Sequence, residues 1–343
     1  MKAARLHEYH TSLRIDEQDE PRATGPWDVV VRIGGAGLCR TDIHIIEGQW
    51  AQKSGVRLPY TLGHENAGWV QEVGSAVDNV EVGDTVIVHP LVTCGLCRAC
   101  RAGDDMHCVA SAFPGIDTDG GFADLLKTSA RSVVKLDPTL HPRDVAALAD
   151  AGLTAYHAAR KAVPLLHPGA HAVVIGAGGL GHIGIQCLKA MTAAEVVVLD
   201  PSEAALELAR ETGADHAVRV DGSHVETVLE LTDGRGAEVV IDFVGERGAI
   251  EDGIAMLRRA GSYFVVGYGE NLNIPTIDVI SSEINFVGNL VGTYNDLADL
   301  MTLTAQGKVT LHTRTYELDG VNDAIADLDG GRLQGRGILV PSG

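Results

Sequence analysis

Basic residues are scarce in this chain. Only 27 Lys and Arg stand against 46 Asp and Glu, a formal net charge of -19, so nucleic acid and acidic membrane surfaces are repelled at long range. No nucleic-acid partner is expected. Long apolar spans are missing too: the uncharged run 162–188 approaches membrane length but carries six Gly, Pro164, Pro168, His167, His171 and His182, and it reads as part of a water-soluble fold rather than a membrane segment. The opening MKAARLHEYHTSLRIDEQDE has no apolar stretch of the kind a secretory signal needs. A cytoplasmic, reducing setting is therefore expected, and there cysteines stay free to bind metal. No G-x-S-x-G elbow and no G-x-x-x-x-G-K-S/T loop occurs, which sets aside the corresponding hydrolases and P-loop enzymes. Internal repeats and low-complexity segments are also absent.

What is present suits two domains, since 343 residues with 45% apolar content divide at roughly 150 residues per domain. Across residues 1–150, short β-type runs (VVVRIG, GWVQEV, TVIVHP, SVVKL) are separated by Gly, Pro and Asp, the pattern of a mainly β domain. From Ala172 onward strands alternate with helical segments: AVVIG, Leu180 to Met191, EVVVLD, SEAALELARETG, HAV, VETVLELT, EVVIDFVG and SYFVVGYG. That alternation predicts a parallel, doubly wound sheet over 151–290. Two further helical segments and a closing strand, GILVP, follow. The tail 291–343 is too short for a third domain and is expected to complete the first, with a ligand cleft between the two halves.

Four of the six cysteines read Cys94-x2-Cys97-x2-Cys100-x7-Cys108. Such spacing suits four thiolates around one tetrahedral zinc ion with no open position, a structural site. A disulfide knot is the second reading, at odds with a large, glycine-rich chain lacking a signal. An iron–sulfur cluster is the third, at odds with the long gap before Cys108 and with Val109 after it. Cys187 shares a helical stripe with Leu180, Ile183, Gly184, Leu188 and Met191 and reads as core. Cys39, in GAGLCRTDIH, invites a chemical reading. With His64 and Glu65 in GHE and Asp150 in ADAG, it offers the donors of a catalytic zinc that keeps one position open. Spacing alone does not make these residues converge, and with 14 histidines in the chain His64 by itself reads better as a satisfied core or surface residue than as a ligand.

The strand AVVIG runs into Gly176-Ala177-Gly178-Gly179-Leu180-Gly181 and then a helical segment, the context a G-x-G-x-x-G dinucleotide fingerprint requires. Gly176 permits the tight turn, Gly178 lets backbone approach a pyrophosphate, and Gly181 lets helix pack on strand. Asp200 ends the next strand, EVVVLD. A carboxylate there accepts hydrogen bonds from ribose hydroxyls and repels the extra phosphate of NADP, so NAD is the expected cofactor; a turn acid before Pro201 is the alternative.

In order along the chain, GAGLCRTDIH, TLGHENAGWVQEVG, the four-cysteine lobe, ADAGLTAYHA, GAGGLG and GRGILVP resemble the zinc-containing, medium-chain alcohol dehydrogenase family, in its bacterial and archaeal NAD-dependent type. The resemblance covers essentially the whole length. It implies an α/β chain: a GroES-like, mainly β catalytic domain over 1–150, completed by 291–343, and a Rossmann NAD-binding domain over 151–290. It implies two zinc ions per chain, the structural one on Cys94, Cys97, Cys100 and Cys108 and the catalytic one on Cys39, His64 and Asp150, the carboxylate standing where Cys2His members have a second cysteine.

The resemblance further implies that zinc polarises the alcohol oxygen while Thr41 and His44 relay the proton. Asp42 would hold the zinc-binding histidine, and Glu65 would approach the metal during ligand exchange. Cofactor contacts fall on Arg40 and Arg336 at the pyrophosphate, on Gly176, Gly178, Gly179, Leu180, Gly181 and Asp200, and on Val244, Val266 and Leu290. Ala205 replaces a lysine found in some members, which loosens the hold on NAD. Trp50 is expected to narrow the substrate pocket, with His89, Ile116 and Leu290 lining it. Ordinary roles stay open beside these: Thr41 as a cap of a helix starting near Asp42, His44 as an exposed helix residue, Trp50 as packing under a loop. The expected activity is NAD-linked interconversion of primary or secondary alcohols with aldehydes or ketones. A polyol, diol or hydroxy-acid dehydrogenase, or an NAD-binding protein without activity, are the alternatives. Lack of the long insertion of dimeric members implies a homotetramer.

Overall fold

The computed structural model describes residues 1–341. By its internal contacts the chain divides into two units, one of Met1–Leu153, Gly292–Gln306 and the described residues from Leu311 onward, the other of Thr154–Val291 and Gly307–Thr310.

The first unit is built around one long strand, Asp28–Leu38, whose DVVVRIGGAGL sequence is buried almost throughout. A strand covered on both faces needs partners on both edges, and it has them. Glu65–Val73 runs antiparallel along one side, while Leu125–Ser129 and then Arg336–Val340 share the other. The sheet continues through Thr85–Val88 to Val133–Lys135, and beyond Arg336–Val340 to Thr313–Glu317. Gly37 sits where this strand passes Glu65, and a Cβ there would collide with the glutamate side chain and stand 3.0 Å from the Ala147 backbone. Only a bare backbone lets the strand end, the Glu65 strand and the 146–149 turn meet. Leu38, Leu62, Val86, Phe122 and Leu339 fill the core beneath.

The second unit holds a six-stranded, all-parallel sheet. Numbered by chain position within the unit, its strands lie in the order third, second, first, fourth, fifth, sixth, with His171–Ile175 first and Ala237–Asp242 fourth. The three central strands, HAVVI, EVVVLD and AEVVID, are apolar and mostly buried, as a sheet covered on both faces requires. Strand order reverses between the first and fourth strands, the switch point where doubly wound sheets bind ligands beyond their carboxyl ends. The β-rich first unit and the doubly wound second one are what the sequence pattern predicts. Cys187 is fully buried in the helix Gly181–Met191, as its stripe predicts. No helix among the described residues is long and apolar enough to cross a membrane; the uncharged run 162–188 spans a turn, a strand and the start of that helix.

Candidate active site

Cys39 ends the long strand and caps the helix Arg40–Ile46. Asp42, in the first turn of that helix, is fully buried. Its Oδ2 accepts the Cys39 N–H at 2.9 Å, and its Oδ1 lies 3.3 Å from Nδ1 of His64. The other imidazole nitrogen, Nε2, lies 3.4 Å from Oδ2 of Asp150, a residue between the turn Ala146–Ala149 and the helix Ala151–Ala162. The ligand atoms of Cys39, His64, Glu65 and Asp150 all fall within 4.8 Å of one another. Residues 111 positions apart in sequence thus converge on one point.

The histidine is what makes this cluster a metal site rather than a polar core. Both His64 nitrogens and Asp42 Oδ1 are buried without a hydrogen bond, because the two carboxylate contacts are close but misaligned. A fold that buries an imidazole normally satisfies it. A cation on Nε2, with the Nδ1 proton facing Asp42, satisfies ring and carboxylate together, the usual outer partner of a ligating histidine. Burial alone would lower the His64 pKa, yet Asp42, Asp150 and Cys39 together override it and hold the imidazole well above its ordinary value. Two carboxylates flank the ring and a thiol and a third carboxylate stand beside it, a surrounding that favours a positive charge such as a metal ion supplies. Thiolate, imidazole and carboxylate form a donor set that zinc accepts with one position left open.

Glu65 is held rather than loose. Its Oε1 accepts the Ala151 N–H at 3.0 Å, and its Oε2 takes the guanidinium of Arg336, both side chains being buried. Burial raises the Glu65 pKa in spite of Arg336 and His64. For Arg336, burial works to lower the pKa, and the Glu65 carboxylate together with Cys39 more than reverses it. In this structure Arg336 spends one arm of its guanidinium on Glu65, while its Nε is buried without a hydrogen-bond partner. A charge buried to 4% exposure needs an ionic partner, and here the partner is Glu65.

Arg40 is exposed at the start of its helix, and Thr41 and His44 stand one turn apart on it, both half-buried. The helix begins at Arg40 with Cys39 as its cap, so Thr41 is not the capping residue. Trp50 is half-buried against the core of the first unit, with the Lys53 amine 5.6 Å over its ring. His89 and Ile116, expected at the pocket, are both buried. Nδ1 of His89 accepts the Leu91 N–H at 3.2 Å and Nε2 donates to the Gly292 carbonyl at 3.0 Å, so the buried ring is fully used in joining loops, and Ile116 belongs to the hydrophobic core. Leu290 is 56% exposed in the second unit.

The four lobe cysteines also converge within 4.8 Å, and all six cysteines are free thiols. Backbone N–H groups point at their sulfurs: Cys94 on Cys108 at 3.3 Å, Cys97 on Cys94 at 3.4 Å, Ala110 on Cys108 at 3.4 Å. Hydrogen bonds from the Cys100 and Val109 backbone bring the Cys97 thiol down to about 6, while burial and the neighbouring Cys97 push Cys100 up to about 11. Closed, four-sulfur and ringed with amide donors, this lobe suits a structural zinc ion.

In the second unit, Gly176 turns the chain at φ +89°, and a Cβ on Gly181 would lie 1.8 Å from the Gly176 carbonyl oxygen. Gly178 is exposed with open space around it. Gly179 and Leu180 are half-buried beside it, ahead of the helix Gly181–Met191. Asp200 ends the second strand, where its Oδ2 accepts the Ala177 N–H at 2.9 Å and its Oδ1 the Ser202 N–H at 2.8 Å. Val244 packs against Gly176, and Val266 lies half-buried just past the fifth strand.

Comparison with known proteins agrees with this geometry. Residues 25–138 match the family model of the alcohol dehydrogenase GroES-like domain, and residues 179–306 match that of zinc-binding dehydrogenases. A D-arabinose 1-dehydrogenase (NADP(+)) of Saccharolobus solfataricus is 37% identical over 99% of this chain and 97% of its own. An NAD-dependent alcohol dehydrogenase of Sulfurisphaera tokodaii is 35% identical over 99% and 100%. Among solved structures, an alcohol dehydrogenase from Aeropyrum pernix superposes with a TM-score of 0.95 at 50% identity, covering 99% of this chain and all of that one.

Proposed function

This chain belongs to the zinc-binding alcohol dehydrogenase family, and from that premise we propose that it is a two-zinc, NAD-dependent alcohol dehydrogenase interconverting primary or secondary alcohols with aldehydes or ketones. The observation that carries the reading is the buried His64, without an aligned hydrogen bond on either nitrogen, between Asp42 and Asp150 with Cys39 and Glu65 alongside. A zinc ion held by Cys39, His64 and Asp150 supplies Lewis acidity toward an alcohol oxygen when bound.

The protein's own groups do the rest. Asp42 faces Nδ1 of His64 and so keeps the Nε2 lone pair turned toward Asp150 and the donor cluster. Glu65, fixed by Arg336 and the Ala151 N–H, holds a carboxylate beside the donors. Thr41 and His44, one helical turn apart, form the relay that carries the alcohol proton toward solvent, the Thr41 hydroxyl handing on its own proton as it accepts the alcohol's. Gly178 leaves room for a pyrophosphate, Arg40 offers it a cation, and Asp200 excludes a 2′-phosphate. Val244 and Val266, at the ends of the fourth and fifth strands, support the nicotinamide end of the cofactor. Trp50 narrows the substrate site.

A second reading has one observation in its favour: the 37% identical relative is a D-arabinose dehydrogenase named for NADP. Asp200 at the end of EVVVLD favours NAD. Rates with short primary and secondary alcohols and with D-arabinose, each with NAD and NADP, decide between them. Preference for NAD and simple alcohols supports the first; arabinose oxidation with NADP supports the second, and no reduction of either nucleotide removes both. A cytoplasmic setting and a homotetramer belong to the same reading, supported by cysteines that form no disulfide among the described residues and by the family. Sedimentation at micromolar concentration tests the assembly.

A further inference from the structure

Asp242, which neither the fingerprint nor the metal chemistry uses, accepts five hydrogen bonds at the end of its strand. It ends the fourth strand of the parallel sheet, 1% exposed. Its Oδ1 accepts the backbone N–H groups of Val244 at 2.7 Å and Gly245 at 3.0 Å. Its Oδ2 accepts the hydroxyl of fully buried Tyr263, a residue of the fifth strand, at 2.5 Å. Its backbone carbonyl takes the N–H groups of Val266 at 3.1 Å and Gly267 at 2.8 Å. Five donors thus end on one residue, and four of them are backbone groups of the two turns that leave the fourth and fifth strands.

Those turns leave little slack. Gly245 has φ +65°, and a Cβ there would lie 2.4 Å from the Gly267 carbonyl. A Cβ on Gly267 would lie equally close to the Val244 carbonyl carbon, and the Val244 side chain rests on Gly176, the first glycine of the fingerprint. The carboxylate is buried among neutral donors only, and hydrogen bonds to a charged acceptor are roughly twice as strong as neutral ones. We propose that Asp242, braced by the Tyr263 hydroxyl, is the positioning residue that sets the 242–245 and 265–267 turns for the nicotinamide end of the cofactor. The inference rests on the proposed NAD-dependent function, since doubly wound sheets bind their ligand at these strand ends.

Two variants of the zinc-loaded protein test it, Tyr263→Phe, which removes one donor and keeps the ring, and Asp242→Asn, which keeps the volume and removes the charge. Dissociation constants for NAD and NADH, from quenching of protein fluorescence, are read beside KM, kcat and the melting temperature. Tyr263→Phe is expected to raise the NAD dissociation constant and KM by about threefold to tenfold, with kcat at saturating NAD changed less, and Asp242→Asn more than that. Lower melting temperatures with unchanged NAD binding in both variants would make Asp242 an ordinary core hydrogen-bond acceptor and overturn the proposal. If Asp242→Asn fails to fold, Tyr263→Phe alone decides. A parent protein that binds no nicotinamide nucleotide would overturn the functional reading and this proposal with it, whereas a parent that binds NAD while the variants bind equally well overturns only this one.

Discussion

A buried imidazole with neither nitrogen hydrogen-bonded is expensive to keep, and that cost singles out His64 among the 14 histidines. Sequence could place His64 beside Glu65 but gave no reason to bring Cys39 and Asp150 to it; resemblance alone made that link. Local signals fared better. Asp200 stands at the end of its strand because a strand, a turn and a helix can be read from neighbouring residues, and its carboxylate holds the fingerprint turn through the Ala177 N–H. Asp200→Ala is expected to shift the ratio of kcat/KM for NAD over NADP toward NADP by about tenfold or more. An unchanged ratio would remove Asp200 from the ribose. Arg336 shows the opposite case. Its partner, Glu65, lies 271 residues away, and no local pattern tells a buried ion pair from a surface cation. His89 is a related case, since sequence does not show that its ring is bonded to two loop backbones. Asp242 passed unnoticed, although an acid closing the apolar run AEVVID before a glycine turn was the available signal.

Two elements carry most of the local stability argument. The cysteine lobe has little apolar packing of its own, with Leu96 and Val109 largely exposed, so metal rather than core must hold it. Cys97→Ser is expected to cost one of the two zinc ions and to lower the melting temperature by several degrees, roughly what a loss of 1 to 2 kcal/mol produces. Full zinc content and unaltered melting would make the lobe dispensable. In the parallel sheet, Asp215 joins the helix Gly181–Met191 to the second strand, pairing with Lys189 at 2.8 Å and accepting the Val196 N–H at 2.8 Å. Burial acts to raise its pKa, but Lys189 and the backbone donor leave it below the ordinary 3.8. A lowered carboxylate stabilises fully above its unfolded value and loses that contribution as pH falls through the folded one. The parent is therefore expected to exceed Asp215→Asn by less than about 1 kcal/mol near neutral pH, since both groups are about a third exposed, and the gap should close below pH 3.8. Urea unfolding at pH 7 and pH 3 checks this; a gap that does not narrow at the lower pH would show that charge is not its source.

At the scale of the whole molecule, the mainly β first unit and the doubly wound second were legible because periodicity switches between them, from short alternating runs to strands separated by helical stripes. What periodicity could not give was the pairing of distant segments, such as Arg336–Val340 along the end of Asp28–Leu38, which brings Arg336 to the metal cluster. Nor does it show that 307–310 joins the second unit while its flanks join the first. There, Gln186 donates to the Thr310 carbonyl and accepts the Thr310 N–H, both at 2.9 Å, a clamp set by tertiary position. The central claim is that Cys39, His64 and Asp150 hold a zinc ion on which alcohol oxidation depends. Elemental analysis of the parent and of His64→Ala, each assayed for alcohol-dependent NAD reduction, tests it most directly. The account predicts about two zinc ions per chain in an active parent and about one in a folded, inactive His64→Ala. A parent with one zinc and no activity, or a His64→Ala variant that keeps both zinc and rate, would contradict it.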